Sequence, residues 1–498
     1  NPKPAGKYQV EHGIYSWGSR AAAMTRSEEP SYIGFRGELR LGDPMPHAER
    51  TNSGVPRSVI RGKFLAPNGN LIVALENEGS DLPHAPLPRR TSKLVLGSAM
   101  DQKGQGRVLV APTRASVLYT ILGWSADSRE VYYSSLGAES SSVNAVDIAG
   151  HTRQIHREEA GLFFPNAASE ISRDGGVVVA VRNTNVNPDE LVKIDLKTGE
   201  LTALFSPNEA FIKKSLPTVR FMRIECCDAE FYGRLYLPND YETGRKYPLV
   251  FTNYLSSPGF YASVGDEVPI PVLTAHGIAV FAMSSRDSNV TSLKGDFGSE
   301  IERVARPLRA MEWVRHKLSD EGIIDPERCG LTGLSYGAEI AMYAEWNSKV
   351  FRAVSAASGS WEPMNYVLGG LRFAESLDSR GFAVSSEASF AQWKELSLGI
   401  NARPDLPPLL LQSSDGEQHF GTPETWFRLR RAGAAVEWYE YPDEGHVKRS
   451  PSTKWWVYER NLEWFRFWLK DEEMSSESRP EQYVRWREMR ERTRSLRR

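Results

Sequence analysis

Near residue 216 the hydrophobic pattern of this chain changes period, which restricts it to folds built from two dissimilar parts. Upstream, three segments share one design, a turn followed by an apolar strand. Ala66-Pro67-Asn68-Gly69-Asn70 leads into Leu71-Ile72-Val73, and Ser125-Ala126-Asp127-Ser128 leads towards Val131-Tyr132-Tyr133. Ser172-Arg173-Asp174-Gly175-Gly176 leads into Val177-Val178-Val179. Asn and Asp beside Gly tolerate positive φ and favour tight hairpin turns. The β-branched and aromatic residues that follow suit half-buried strands. The third unit continues through Leu191-Val192, a Thr198-Gly199 turn and a new strand from Leu201. Recurrence at intervals of roughly 40–60 residues, with several strands per unit, predicts a β-propeller-like domain over 1–215. At about 45 residues per blade, 10–215 has room for four or five blades, a small or incomplete propeller.

Downstream, over 216–474, strands alternate with helices. Tyr247-Pro248-Leu249-Val250-Phe251 and Ile278-Ala279-Val280-Phe281-Ala282 are short apolar runs of the kind buried in parallel sheets. Ile301, Val304, Leu308, Met311, Val314 and Leu318 recur at helical spacing. Asp325-Pro326 breaks the chain before a strand at Cys329-Gly330-Leu331-Thr332. Further strands follow at Phe351-Arg352-Ala353-Val354, Pro408-Leu409-Leu410-Leu411 and Val436-Glu437-Trp438-Tyr439. This alternation predicts a doubly wound, mostly parallel α/β sheet. Trp464, Phe465, Trp468 and Leu469 pack an aromatic closing helix. The charge-dense segment 475–498, with Glu among its Arg residues, reads as a solvated helix or tail.

Composition narrows the function. Lys+Arg 61 against Asp+Glu 63 leaves a net charge of −2, without the basic excess of a general nucleic-acid binder. No apolar run reaches the roughly 18–20 residues of a membrane span. Three cysteines, two of them the adjacent Cys226 and Cys227, do not make a disulfide scaffold, and they fit a cytoplasmic or a periplasmic protein. The opening Asn1-Pro2-Lys3-Pro4 lacks Met and an apolar signal core, as in a mature or trimmed chain. Gly104-Gln105-Gly106 lacks the third glycine of a dinucleotide loop. With no phosphate-loop, zinc-protease or cysteine-pair pattern either, no cofactor or metal is expected.

The chemistry concentrates in Gly333-Leu334-Ser335-Tyr336-Gly337, set between a predicted strand and a predicted helix. That context is what a nucleophile elbow requires. Small residues flanking the serine let strand and helix cross closely. The turn lifts the Ser335 hydroxyl off the sheet and puts the Tyr336 N–H at a helix N-terminus, facing a developing oxyanion. A serine needs a base, and in this fold class the order is Ser, acid, His. Only His419 and His446 lie downstream. His446, in the polar loop Pro442-Asp443-Glu444-Gly445-His446 after a strand, has the right order and setting. His419 sits against the acid loop and reads as a surface neighbour. The acid belongs in the loop Gln412-Ser413-Ser414-Asp415-Gly416-Glu417-Gln418-His419-Phe420, where Asp415 and Glu417 both qualify.

These β-repeats, Lys246-Tyr247-Pro248-Leu249-Val250 with Tyr254, the Gly-Leu-Ser-Tyr-Gly-Ala-Glu run and a late His together resemble the prolyl oligopeptidase family of serine peptidases. The resemblance implies a propeller followed by an α/β-hydrolase domain. It implies that Tyr254, seven residues after Tyr247, donates its hydroxyl to the oxyanion. Here Leu255-Ser256 replace the two small residues usual after that tyrosine, and Ser413-Ser414 replace a His-Gly pair. Counted from Pro408, the family's acid position falls on Glu417, with Asp415 the alternative.

Gly259-Phe260, Gly265-Asp266-Glu267-Val268-Pro269-Ile270, the Asp415-x-Glu417 loop and His446-Val447-Lys448 resemble the lasso-peptide isopeptidase branch. Those enzymes hydrolyse the isopeptide bond closing a threaded macrolactam ring. A peptide substrate, probed by a serine acyl-enzyme mechanism, is therefore the leading expectation. A general oligopeptidase or dipeptidyl peptidase, an esterase on the same scaffold, and a non-catalytic binding platform are the alternatives. Glu28-Glu29 resemble the paired glutamates that anchor an N-terminal amine in related dipeptidases, but they read more simply as an exposed turn.

Overall fold

The computed structural model describes residues 60–78, 91–99, 106–111, 118–164, 171–172, 174–208, 216–227, 229–254, 268–284, 299–382, 387–417, 421–474 and 480–496. His419, Glu28, Glu29 and the segment 255–267 lie outside these residues.

Three four-stranded antiparallel sheets occupy 60–110, 118–158 and 160–205. Each expected turn–strand unit lies at the same place in its sheet. Gly69 and Gly175 take φ of 74° and 72°, and Ser128 takes 61°. The Ser125 and Ser172 hydroxyls donate to Asp127 and Asp174 at 2.7 and 2.6 Å, so two of the turns close with the same Ser-x-Asp bond. The sheets stack in sequence. Val73, Leu94, Ile121, Trp124 and Val131 form one apolar layer between the first two, and Leu122, Tyr132, Val143, Val178 and Val192 form the next. This is the packing of successive propeller blades, three among the described residues.

The second half forms an eight-stranded sheet: β1 (Val219–Cys226), β2 (Ala229–Tyr236), β3 (Tyr247–Tyr254), β4 (Ala279–Ser284), β5 (Ile324–Leu334), β6 (Ala353–Ala357), β7 (Leu409–Ser414) and β8 (Val436–Tyr441). Their order is 1-2-4-3-5-6-7-8. The pairs β1–β2 and β2–β4 are antiparallel, and all the others are parallel. Asp325-Pro326 does not end a segment ahead of β5. It lies inside the strand, and pairing with β3 skips from Ile324 to Cys329 around it. Proline removes a ladder donor, so the register slips there instead of the strand stopping.

Helices cover both faces. Helix α1 (Glu300–Asp320) starts at Ser299, whose hydroxyl accepts from the Glu302 N–H at 3.2 Å, and it buries Val304, Leu308, Met311, Val314 and Leu318. Helix α2 (Tyr336–Asn347) packs beside it on β5 and β6. The expected aromatic helix is α3 (Pro451–Lys470), with Trp464, Phe465, Trp468 and Leu469 buried on the other face. Helix α4 (Pro480–Leu496) is not solvated all round as its charge suggested. Tyr483, Trp486 and Met489, at spacings of three, form a buried stripe against α3. No helix among the described residues is long and apolar enough to cross a membrane.

Candidate active site

In a parallel sheet every strand delivers its following loop to the same edge, and that edge is where α/β folds build sites. Ser335 follows β5, Ser358 follows β6, Glu417 follows β7 and His446 follows β8. Sequence-distant side chains are thereby aligned along one rim.

Ser335 is the first of these. It takes φ 57° and ψ −123° at the start of α2, a strained conformation for a residue with a side chain. Its neighbours make room for the turn. A Cβ on Gly333 would lie 2.3 Å from the Gly337 carbonyl group, and one on Gly337 would lie 2.6 Å from the Asn253 carbonyl oxygen. Gly359, from the loop after β6, has the same role from the other side, since its Cβ would meet the Ser335 carbonyl oxygen at 2.4 Å. The Ser335 N–H is held by the Ala357 carbonyl at 2.9 Å. Ser335 remains half-exposed. Gly359→Ala should therefore displace the serine and abolish its labelling by a fluorophosphonate. Gly416→Ala, with nothing within 4 Å of the new methyl, should label normally.

The acid loop separates its two candidates. A turn closed by Glu417 N–H to Ser414 O at 3.1 Å puts Asp415 at the exposed tip and Glu417 at the buried end. Glu417 is 5% exposed, and its Oε1 accepts from His446 Nδ1 at 2.7 Å. Its Oε2 accepts from the Ser358 hydroxyl at 2.6 Å and from the Ser414 N–H at 2.9 Å. Burial alone would raise the carboxyl's pKa. The bonds from His446, Ser358 and Ser414, with the charge of Lys448, outweigh it and hold the group at about 2. Asp415 instead accepts from the Asp443 N–H at 3.3 Å on the surface.

Tyr254 ends β3 with φ 135°, and its ring meets that of Tyr336 edge-on, centroids 5.5 Å apart. Tyr336 is anchored from behind. Its hydroxyl donates to the Arg303 carbonyl at 2.5 Å, and the Arg303 guanidinium lies 4.5 Å over its ring. Arg303, itself buried, is paired with Glu300 at 2.7 Å and Glu339 at 2.6 Å. Tyr336, against which Tyr254 packs, thus rests on a cation held by two carboxylates.

Sequence reasoning did not assign Arg303, Ser358 or Lys448. Lys448 carried a faint signal, two residues beyond the histidine. Ser358 carried none, because its partners are supplied by strands far away in the chain.

Residues 310–472 match the prolyl oligopeptidase family. The lasso peptide isopeptidase AtxE2 of Asticcacaulis excentricus is 31% identical over 324 residues, 63% of this chain and 46% of that protein. Dipeptidyl-peptidase 5 of Porphyromonas endodontalis is 25% identical over 328 residues, 59% of this chain and 44% of that protein. The chain therefore spans about half the length of the curated relatives it matches. A solved structure of an AtxE2 isopeptidase variant with Astexin3-dC4 bound aligns with a TM-score of 0.72 at 25% identity, covering 88% of this chain and 66% of that one. An acylaminoacyl peptidase from Pyrococcus horikoshii, 18% identical with a TM-score of 0.58 over 82% of this chain and 63% of that one, shares the fold. Blade-like sheets ahead of a 1-2-4-3-5-6-7-8 sheet, and an elbow inside the matched span, agree with these likenesses: residues 310–472 carry a domain of the prolyl oligopeptidase family.

Proposed function

We propose that this chain is a serine hydrolase that cleaves an amide bond through an acyl-enzyme, and that its substrate is the isopeptide bond of a lasso-peptide ring. The observation that carries the mechanism is the 2.7 Å bond between His446 Nδ1 and buried Glu417, on the rim that also presents Ser335. With Nδ1–H committed to a carboxylate, Nε2 is left as the base. In this reading His446 takes the Ser335 proton as Oγ attacks the amide carbonyl, which for an isopeptide bond belongs to an Asp or Glu side chain. The Tyr254 hydroxyl and the Tyr336 N–H receive the oxyanion. Loss of one such donor typically costs about 10²–10³ in rate. His446 then protonates the leaving amine, and water repeats the sequence on the ester.

The choice of substrate draws on the likeness to AtxE2, in sequence and in the solved structure holding Astexin3-dC4. The likeness to dipeptidyl-peptidase 5 supports the second reading, an oligopeptidase of linear peptides. Incubation with a lasso peptide and a linear peptide, read by mass spectrometry, separates them. A gain of one water on the threaded peptide alone is the expected result. Cleavage of the linear peptide alone would replace the isopeptidase reading with the oligopeptidase one.

A further inference from the structure

A second charged group sits behind the acid. Lys448 is 1% exposed, and its Nζ donates to the Ser358 hydroxyl at 2.9 Å and lies 4.0 Å from Glu417 Oε2. It also reaches the His446 carbonyl at 3.5 Å. Burying an ammonium is costly unless it is paired and hydrogen-bonded. Ser358 is itself held at φ 52°, in the left-handed region, with its N–H on the Gln412 carbonyl at 3.0 Å. Two unfavourable features, a buried cation and a strained serine, converge on one carboxylate oxygen.

The direction of the protons follows from the chemistry of the donors. An ammonium donates and never accepts. Ser358 Oγ must therefore accept from Lys448, and its own proton points to Glu417 Oε2. That bond, the Ser414 N–H and the nearby positive charge keep Glu417 ionised. An ionised carboxylate only accepts, so the proton between it and His446 resides on Nδ1. We infer that Lys448, acting through Ser358, is a positioning residue that keeps Glu417 a pure acceptor and so fixes the His446 tautomer in which Nε2 carries no proton, as a base requires. The inference rests on the proposed Ser335–His446–Glu417 reading. Without the ammonium, the Ser358 hydroxyl is free to turn away and Glu417 takes up a proton more readily. A protonated carboxyl donates to Nδ1 and moves the imidazole proton to Nε2, where it blocks the base.

The test uses a fluorophosphonate, which needs no knowledge of the natural substrate. Ser335 Oγ attacks phosphorus, His446 takes its proton, the O–P bond forms, and the P–F bond breaks to release fluoride. Lys448→Met should slow labelling about 10–100-fold, a scale borrowed from the loss of outer-shell partners behind metal-ligating side chains. Ser358→Ala should slow it in the same direction. In a Glu417→Gln background, adding Lys448→Met should change the rate by less than about twofold, because the residue acts through the acid. The ¹⁵N spectrum of His446 should show one Nδ1–H tautomer in the native chain and a mixture in Lys448→Met. Labelling of Lys448→Met at the native rate, an undiminished loss in the Glu417→Gln background, or an unchanged tautomer would overturn the inference. If Lys448→Met does not fold, Lys448→Gln and Ser358→Ala carry the same cycle. Ser335→Ala is the control for the underlying reading. Labelling that persists in Ser335→Ala defeats the triad itself, whereas labelling lost there but untouched by Lys448→Met defeats only the role of the lysine.

Discussion

Ser335→Ala is expected to lower turnover by about 10⁶-fold, the loss typical of a removed serine nucleophile. The physical reason is that Ser358, the other hydroxyl placed on this rim, is committed to Glu417 and Lys448. In the proposed mechanism, attack needs an oxygen carried on the strained turn after β5 and a base whose other nitrogen is bonded to Glu417. The remaining donors still bind an oxyanion, so a residue of catalysis over water of about 10³–10⁴ should persist. Folding should be unchanged, because the half-exposed hydroxyl supports little of the core. Circular dichroism and a steady-state assay on the same preparation check both halves. A variant that folds and turns over normally would remove the nucleophile from the mechanism.

Glu417→Gln is expected to cost about 10⁴-fold in kcat, as an amide in place of the triad acid does elsewhere by imposing the wrong tautomer. Here the amide would also present its NH₂ to donors, since both carboxylate oxygens now accept from His446, Ser358 and Ser414. Asp415→Asn, at the exposed tip of the same turn, should change kcat little. The opposite ranking of the two variants would assign the acid to Asp415. A stability signature accompanies this. The Glu417 carboxyl is held at about 2, below its ordinary value of 4.5. A lowered folded-state pKa contributes stability that is fully present above the unfolded value and is lost as pH falls towards the folded one. The native chain should therefore lose stability more steeply than Glu417→Gln between about pH 4.5 and 2. Urea midpoints measured across that interval read the difference directly.

Much of the architecture was visible in local pattern. Turn residues followed by β-branched runs marked the blade-like strands, and Gly69 and Gly175 adopt the positive φ that such turns demand. Helical spacing from Ile301 to Leu318 marked α1, and five of its six periodic residues are fully buried. The errors came where long-range packing outweighs local character. Pro326 looked like a chain break, yet neighbouring strands carry β5 past it. Segment 475–498 looked solvated, yet the stripe of Tyr483, Trp486 and Met489 finds an apolar partner in α3.

Ser335 and His446 stood out in the chain as candidates for nucleophile and base because each signal lies in its own neighbours: glycines that permit a tight crossing, a loop that follows a strand. The choice between Asp415 and Glu417 could not, since it turns on which end of a four-residue turn faces inward, and that is set by β8, β6 and the loops they carry. The same holds for Ser358 and Lys448, which are 90 positions apart in sequence and 2.9 Å apart in space. Hydrogen bonds and charge act over a few ångströms, whatever the separation along the backbone. Only the order in which the strands assemble brings the cation, the hydroxyl, the carboxylate and the imidazole within that range.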